Sequence, residues 1–92
     1  MAHKRAHILV EGRVQGVYYR SSMKQEAESL GLKGWVRNLV SGEVEAVIEG
    51  EEGVIQALID WCRQGPPHAA VDTVTVEWGA PTGEFDTFFI RR

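Results

Sequence analysis

A single cysteine, Cys62, in 92 residues excludes an internal disulfide and any metal centre built on several thiolates. No apolar run approaches the roughly 20 residues that a bilayer-spanning helix needs. The opening stretch MAHKRAHILV lacks the long apolar segment and small-residue cleavage site of a secretory signal. The expected compartment is therefore the cytoplasm, with no membrane partner. Prolines number only three, two of them adjacent at Pro66-Pro67, and no repeat, low-complexity segment or interdomain linker interrupts the chain. Positive charge is not in excess either: the net charge is −3, which argues against general nucleic-acid binding. These absences leave one domain, residues 1–92, able to bury roughly 60–65% of its unfolded surface without staples.

The charge that is present is uneven. Up to residue 24 the chain carries Lys4, Arg5, Arg13, Arg20 and Lys24 against Glu11 alone, whereas the remainder holds five basic and twelve acidic residues. A chain that is anionic overall but basic around one stretch suits a small anionic ligand. The stretch runs from Gly12 to Arg20, GRVQGVYYR, between a strand-like run (Ala6–Glu11) and a helix-like run from Tyr19 to Leu30. Amides in such a turn have no ladder partners and point into one concavity, toward which the positive end of the helix dipole also faces. Arg20 stands at the mouth of that helix, where a cation is unfavourable unless an anion sits beside it. Its planar fork can grip a phosphate through two parallel hydrogen bonds. Arg13, at the other end of the loop, reads as a solvated edge residue. The spacing is not that of a Walker loop, since no Lys-Ser/Thr pair follows Gly16, nor of a dinucleotide loop, since Tyr19 replaces the third glycine. A plain tight turn, with glycines supplying left-handed backbone, is the alternative that this stretch leaves open.

Past the loop, Tyr19, Met23, Ala27 and Leu30 recur at helical spacing until Gly31 stops the run. Gly34 to Val40 reads as a second strand, Ser41-Gly42 as a turn, and Glu43 to Glu49 as a third strand. Alternation there predicts Val44, Ala46 and Ile48 toward the core, with Glu43, Glu45 and Glu49 toward water. Glu51 and Glu52 open a second helix, complementing its dipole, with Val54, Leu58 and Trp61 in its buried stripe beside Ile55, Ile59 and Cys62. Arg63 closes it before Gly65-Pro66-Pro67. Val71 to Trp78 alternates as a fourth strand, and after a loop (Gly79 to Glu84) a short last strand spans Phe85 to Ile90. The order β-α-β-β-α-β plus a terminal strand is the α+β, ferredoxin-like split βαβ plan, an antiparallel sheet with two helices on one face.

Two long strings in this order resemble the acylphosphatases. GRVQGVYYR is similar to the first signature of that family, and GWVRNLVSGEVEAVIEG (Gly34 to Gly50) resembles the second, with Asn38, Gly42, Val44 and Gly50 at matching places. QGPPHAAVDTV (Gln64 to Val74) is similar to bacterial and archaeal members. The resemblance implies hydrolysis of a carboxyl-phosphate mixed anhydride to carboxylate and inorganic phosphate, with no cofactor, no metal and no covalent intermediate. It further implies that the amides of Gln15, Gly16, Val17, Tyr18 and Tyr19, with Arg20, hold the phosphate, while Asn38 orients the attacking water. Tyr18-Tyr19 stands where many members have Gly-Phe or Phe-Phe, and Ser41 where an aspartate is common; both departures bear on substrate preference and rate. The implied partners are an acyl phosphate and inorganic phosphate, and the chain is expected to act as a monomer.

The residue types suit that chemistry independently. An acyl phosphate has a good leaving group, so the useful contributions are holding a dianion and aligning water in line with the bond to be broken. A carboxamide offers water both an acceptor and a donor, where a carboxylate would repel the phosphate. From position alone, Asn38 would be a turn residue. His3 and His7 lie at the chain's start and His68 in a loop without acidic partners, so none is assigned to catalysis. Cys62 reads as a packed thiol, the glutamates at 49, 51 and 52 as a solvated cluster, and Trp35, Trp61 and Trp78 as core or core edge. Two other readings share the fold. An RNA-recognition domain would need exposed aromatics where the third strand offers Glu43, Glu45 and Glu49. A carbamoyl-phosphate-handling unit, as in hydrogenase-maturation proteins, would keep the phosphate seat.

Overall fold

The computed structural model describes residues 2–91. In order it contains β1 (His3–Arg13), α1 (Tyr19–Ser29), β2 (Lys33–Asn38), β3 (Val44–Glu51), α2 (Glu52–Gln64), β4 (Ala70–Gly79) and β5 (Phe88–Ile90). The sheet order is β4-β1-β3-β2-β5. The first four strands pair antiparallel, as the split βαβ plan requires, but β5 adds to β2 in parallel, so the five-stranded sheet is mixed. Strand β1 is longer than its apolar run, because Lys4 and Arg5 still pair with Gly50 and Glu49 of β3. Strand β2 stops at Asn38, since Leu39 turns the chain by bonding to Glu43 (N–H to O, 2.8 Å).

Period-two alternation sorts the side chains. Ala6, Ile8 and Val10 of β1 lie opposite Ile48, Ala46 and Val44 of β3, and all six are fully buried. They meet Tyr19, Met23 and Ala27 from α1 and Ile55, Leu58, Ile59 and Cys62 from α2 in one apolar cluster. Both helices therefore bury their stripes on the same face, which is what fixes the start of α1 against the end of β2. Helix α2 is capped by Glu51, whose carboxylate accepts the Gly53 N–H at 3.1 Å, and it carries Glu52 in its first turn and Arg63 in its last.

The opposite face carries ion pairs, and here two expectations change. Glu49 is not solvated: only 7% of it is exposed. The loop before β5 folds across it, so its carboxylate accepts the Thr82 N–H (2.9 Å), the Gly83 N–H (3.0 Å) and the Arg5 guanidinium (2.8 Å). His7 lies in mid-strand, with Nε2 2.7 Å from Glu45 Oε2, while the other oxygen of that carboxylate accepts from Arg37 Nε at 2.6 Å. Of the tryptophans, Trp35 is buried and Trp61 half-buried, whereas Trp78 at the end of edge strand β4 is exposed.

Burial by itself would raise the Glu49 carboxyl, but the main-chain N–H donors of Thr82 and Gly83 together with Arg5 hold it down at about 2, below its ordinary 4.5. A carboxyl depressed on folding stabilises the protein above its unfolded value, and that contribution is lost as pH falls from about 4.5 toward 2. Glu49→Gln should therefore unfold about 2–3 kcal/mol more easily at pH 7. The gap between variant and wild type should close by pH 2. Urea denaturation at both pH values checks this, and a gap that does not depend on pH would refute it.

Candidate active site

Strand β1 breaks register against β4 between Glu11 and Gly12, and this bulge turns the chain into the loop ahead of α1. Gly12 has φ +128°, and a Cβ there would run into the Ala70 carbonyl oxygen, so glycine is required. Val14 and Val17 then bury their side chains in the core and pin the loop at two points. Between and after them, Gly16 (φ +74°) and Tyr18 (φ +64°) take left-handed backbone. Among the described residues no protein acceptor takes the main-chain N–H of Gln15, Gly16, Val17 or Tyr18. Tyr18 is the N-cap of α1 without a capping side chain, and the first turn holds no acidic residue. The positive end of the helix is thus uncompensated, and half-buried Arg20 adds a cation to it. Among the described residues Arg20 makes no ion pair with a carboxylate.

A concavity of about 450 Å³ opens beside this loop, lined by Val14, Gly16, Tyr18, Tyr19, Arg20, Ser21 and, from the end of β2, Asn38. The fold therefore brings Arg20 and Asn38 to one cavity. Asn38 Oδ1 is enclosed and accepts no hydrogen bond from any described residue. Of the other residues expected here, Gln15 and Val17 are not among the residues that line the cavity. Arg13 is exposed at the end of β1 and does not line it either.

Three features of the site lay outside the sequence reading. The Gln15 carboxamide donates both its hydrogens to the β2–β3 turn, to the Leu39 carbonyl at 2.7 Å and the Glu43 carbonyl at 2.9 Å. That clamp ties the loop preceding Arg20 to the turn following Asn38. Val14 and Ser21 also line the cavity; the signal for Ser21 was its place three residues after the helix cap, where a short side chain opens onto the N-terminal end. Finally, Tyr19 is anchored by its hydroxyl, which donates to the Cys62 carbonyl at 2.6 Å. The helical donor for that carbonyl would be residue 66, but Pro66 has no N–H. The phenol supplies the missing bond, while its ring packs on Trp61 at 5.4 Å between centroids. Without it, an unpaired buried carbonyl would cost about 1–3 kcal/mol.

Burial raises the Tyr19 phenol above its ordinary range and pushes the Cys62 thiol up to about 12, so both stay neutral at ordinary pH. Neither is a nucleophile. Among the described residues no group of three or more His, Cys, Asp or Glu side chains could hold a metal ion, and no helix is long and apolar enough to cross a membrane.

Known proteins resemble this chain in both fold and sequence. An acylphosphatase structure from Bacillus subtilis superposes with a TM-score of 0.94 at 32% identity, covering 97% of this chain and 99% of that one. A full-length HypF structure in phosphate- and nucleotide-bound form matches at TM-score 0.85 and 28% identity, over 99% of this chain but only 12% of that protein. At the sequence level, an acylphosphatase from Anaeromyxobacter dehalogenans is 55% identical over 87 residues, 95% of this chain and 94% of the relative. A family model described as Acylphosphatase matches residues 6–90. The chain belongs to the acylphosphatase family.

Proposed function

We propose that this chain hydrolyses acyl phosphates to a carboxylate and inorganic phosphate, using the cavity between the β1–α1 loop and the end of β2. The observation that carries the reading is the convergence on that one cavity of Arg20, which makes no ion pair with any described residue, and Asn38, whose enclosed Oδ1 accepts from no described residue. In this reading the main-chain N–H groups of Gln15, Gly16, Val17, Tyr18 and Tyr19, with the Arg20 fork, bind the phosphoryl oxygens. They are preorganised donors at the positive end of a helix, where charge on the transferring group is stabilised most effectively. Asn38 orients the attacking water through its carboxamide, which offers water both an acceptor and a donor. The water oxygen bonds to phosphorus as the phosphorus–acyl oxygen bond breaks, and the electron pair leaves with the carboxylate. The water's proton passes to a phosphoryl oxygen. No side-chain base, metal or covalent intermediate enters the scheme, because the leaving group is already good and the work is positioning.

The Gln15 clamp supports this scheme, since it links the two halves of the site without occupying it. The reading takes residues 1–92 as one domain that acts as a monomer in the cytoplasm. Purified protein should hydrolyse benzoyl phosphate in EDTA, with inorganic phosphate as a competitive inhibitor. Activity that disappears on chelation and returns with added metal would overturn the scheme.

A further inference from the structure

Two consecutive tyrosines meet opposite fates. Tyr19 is 1% exposed with its hydroxyl bonded, whereas Tyr18 is 79% exposed and its hydroxyl bonds to no described residue. The ring of Tyr18 therefore gives the fold almost no burial. It also occupies the one left-handed backbone position among the described residues that is not glycine. A bulky residue there is a conformational outlier, and such outliers cluster where a ligand is clamped. Gly16, two residues earlier, shows the residue that the backbone alone would favour. Tyr18 nonetheless lines the cavity beside Arg20. The other large apolar side chain of comparable exposure is Val40, two residues past Asn38, in the turn that Gln15 ties to the same loop. Single exposed apolar groups are ordinary. Among the described residues the two most exposed ones stand on the two loops that meet at the site.

We propose that Tyr18 is a specificity residue that selects aromatic acyl groups, its exposed ring stacking on the acyl part of a substrate whose phosphoryl end lies by Arg20. This rests on the hydrolytic reading above and names the substrate class of the same site. The phosphoryl group is common to every acyl phosphate and is met by backbone and Arg20. Discrimination must therefore come from the lip, and an aromatic face offers it to a flat acyl group and not to a methyl.

The test is the ratio of kcat/KM for benzoyl phosphate over acetyl phosphate in wild type, Tyr18→Asn and Tyr18→Phe. Asparagine tolerates left-handed backbone, so Tyr18→Asn removes the ring without forcing the loop. The intrinsic reactivities of the two compounds are the same in all three proteins and cancel when ratios are compared. An aromatic pair lost should lower the ratio about three- to tenfold in Tyr18→Asn. Tyr18→Phe should keep it to within about twofold, because the ring remains. A hydrolytic wild type whose ratio is unmoved in Tyr18→Asn overturns the role of Tyr18 alone. An equal fall in both variants would place the effect on the hydroxyl and overturn stacking. If wild type hydrolyses neither compound, the hydrolytic reading falls and this proposal falls with it.

Discussion

Arg20→Ala should lower kcat/KM for benzoyl phosphate by about 10³-fold or more and weaken inhibition by inorganic phosphate in parallel. Loss of one donor from a site that stabilises developing charge costs roughly 10²–10³-fold. Arg20 supplies two donors and a full charge at a helix end that has no acidic residue to compensate it. Arg20→Lys should recover little, because a point charge on a flexible stem does not reproduce the planar fork. Stability should move the other way. A cation in the first turn opposes the helix dipole, so removing it should leave folding unchanged or stabilise it by about 0.3–1 kcal/mol. Activity down with stability level or up is the signature of a residue kept for its ligand. Loss of activity with equal loss of stability would make Arg20 a structural residue, and an unchanged phosphate inhibition constant would remove it from the binding site.

Local pattern carried a good deal of this in advance. The alternation of Glu43 to Glu49 placed Val44, Ala46 and Ile48 in the core, where they are fully buried. The helical spacing of Tyr19, Met23 and Ala27 likewise matches the buried face of α1. The same alternation misjudged Glu49, and the reason is general. A period of two says which face of the sheet a side chain takes, but not what covers that face. Thr82 and Gly83, which bond to Glu49, lie more than thirty residues later in the chain. His7 failed similarly: its partner Glu45 comes from a strand 38 residues away. The direction of β5 was also out of reach, because three residues of strand do not encode whether they run parallel or antiparallel.

For the site, the sequence showed the loop glycines, the cation at the helix start and the resemblance that singled out Asn38. It did not show the Gln15 clamp or the Tyr19–Cys62 bond. A glutamine side chain reaching carbonyls 24 and 28 residues on leaves no periodic trace. The Tyr19 bond had one legible half: Pro66 four residues after Cys62 announces a carbonyl without a helical donor, but not which hydroxyl supplies it.

Asn38→Ala should reduce kcat by about 10²–10³-fold while leaving the inhibition constant of phosphate nearly unchanged. The outcome turns on which state the carboxamide touches. If it holds water and not the phosphoryl group, its loss removes a transition-state interaction and spares ground-state binding, which appears as a fall in kcat with KM kept. Folding should not suffer, since Oδ1 is enclosed without a partner and its removal breaks no bond within the described protein. Asn38→Asp separates the roles further. A carboxylate can still accept a hydrogen from water, but its charge faces the incoming dianion, so this variant should lose phosphate affinity as well as rate, and the affinity loss should shrink as salt screens the repulsion. If Asn38→Ala instead abolished phosphate inhibition and kept kcat, the carboxamide would belong to the anion seat. The water would then have to be held by Arg20 and the loop alone, on the same side as the group it attacks, which an in-line displacement does not permit.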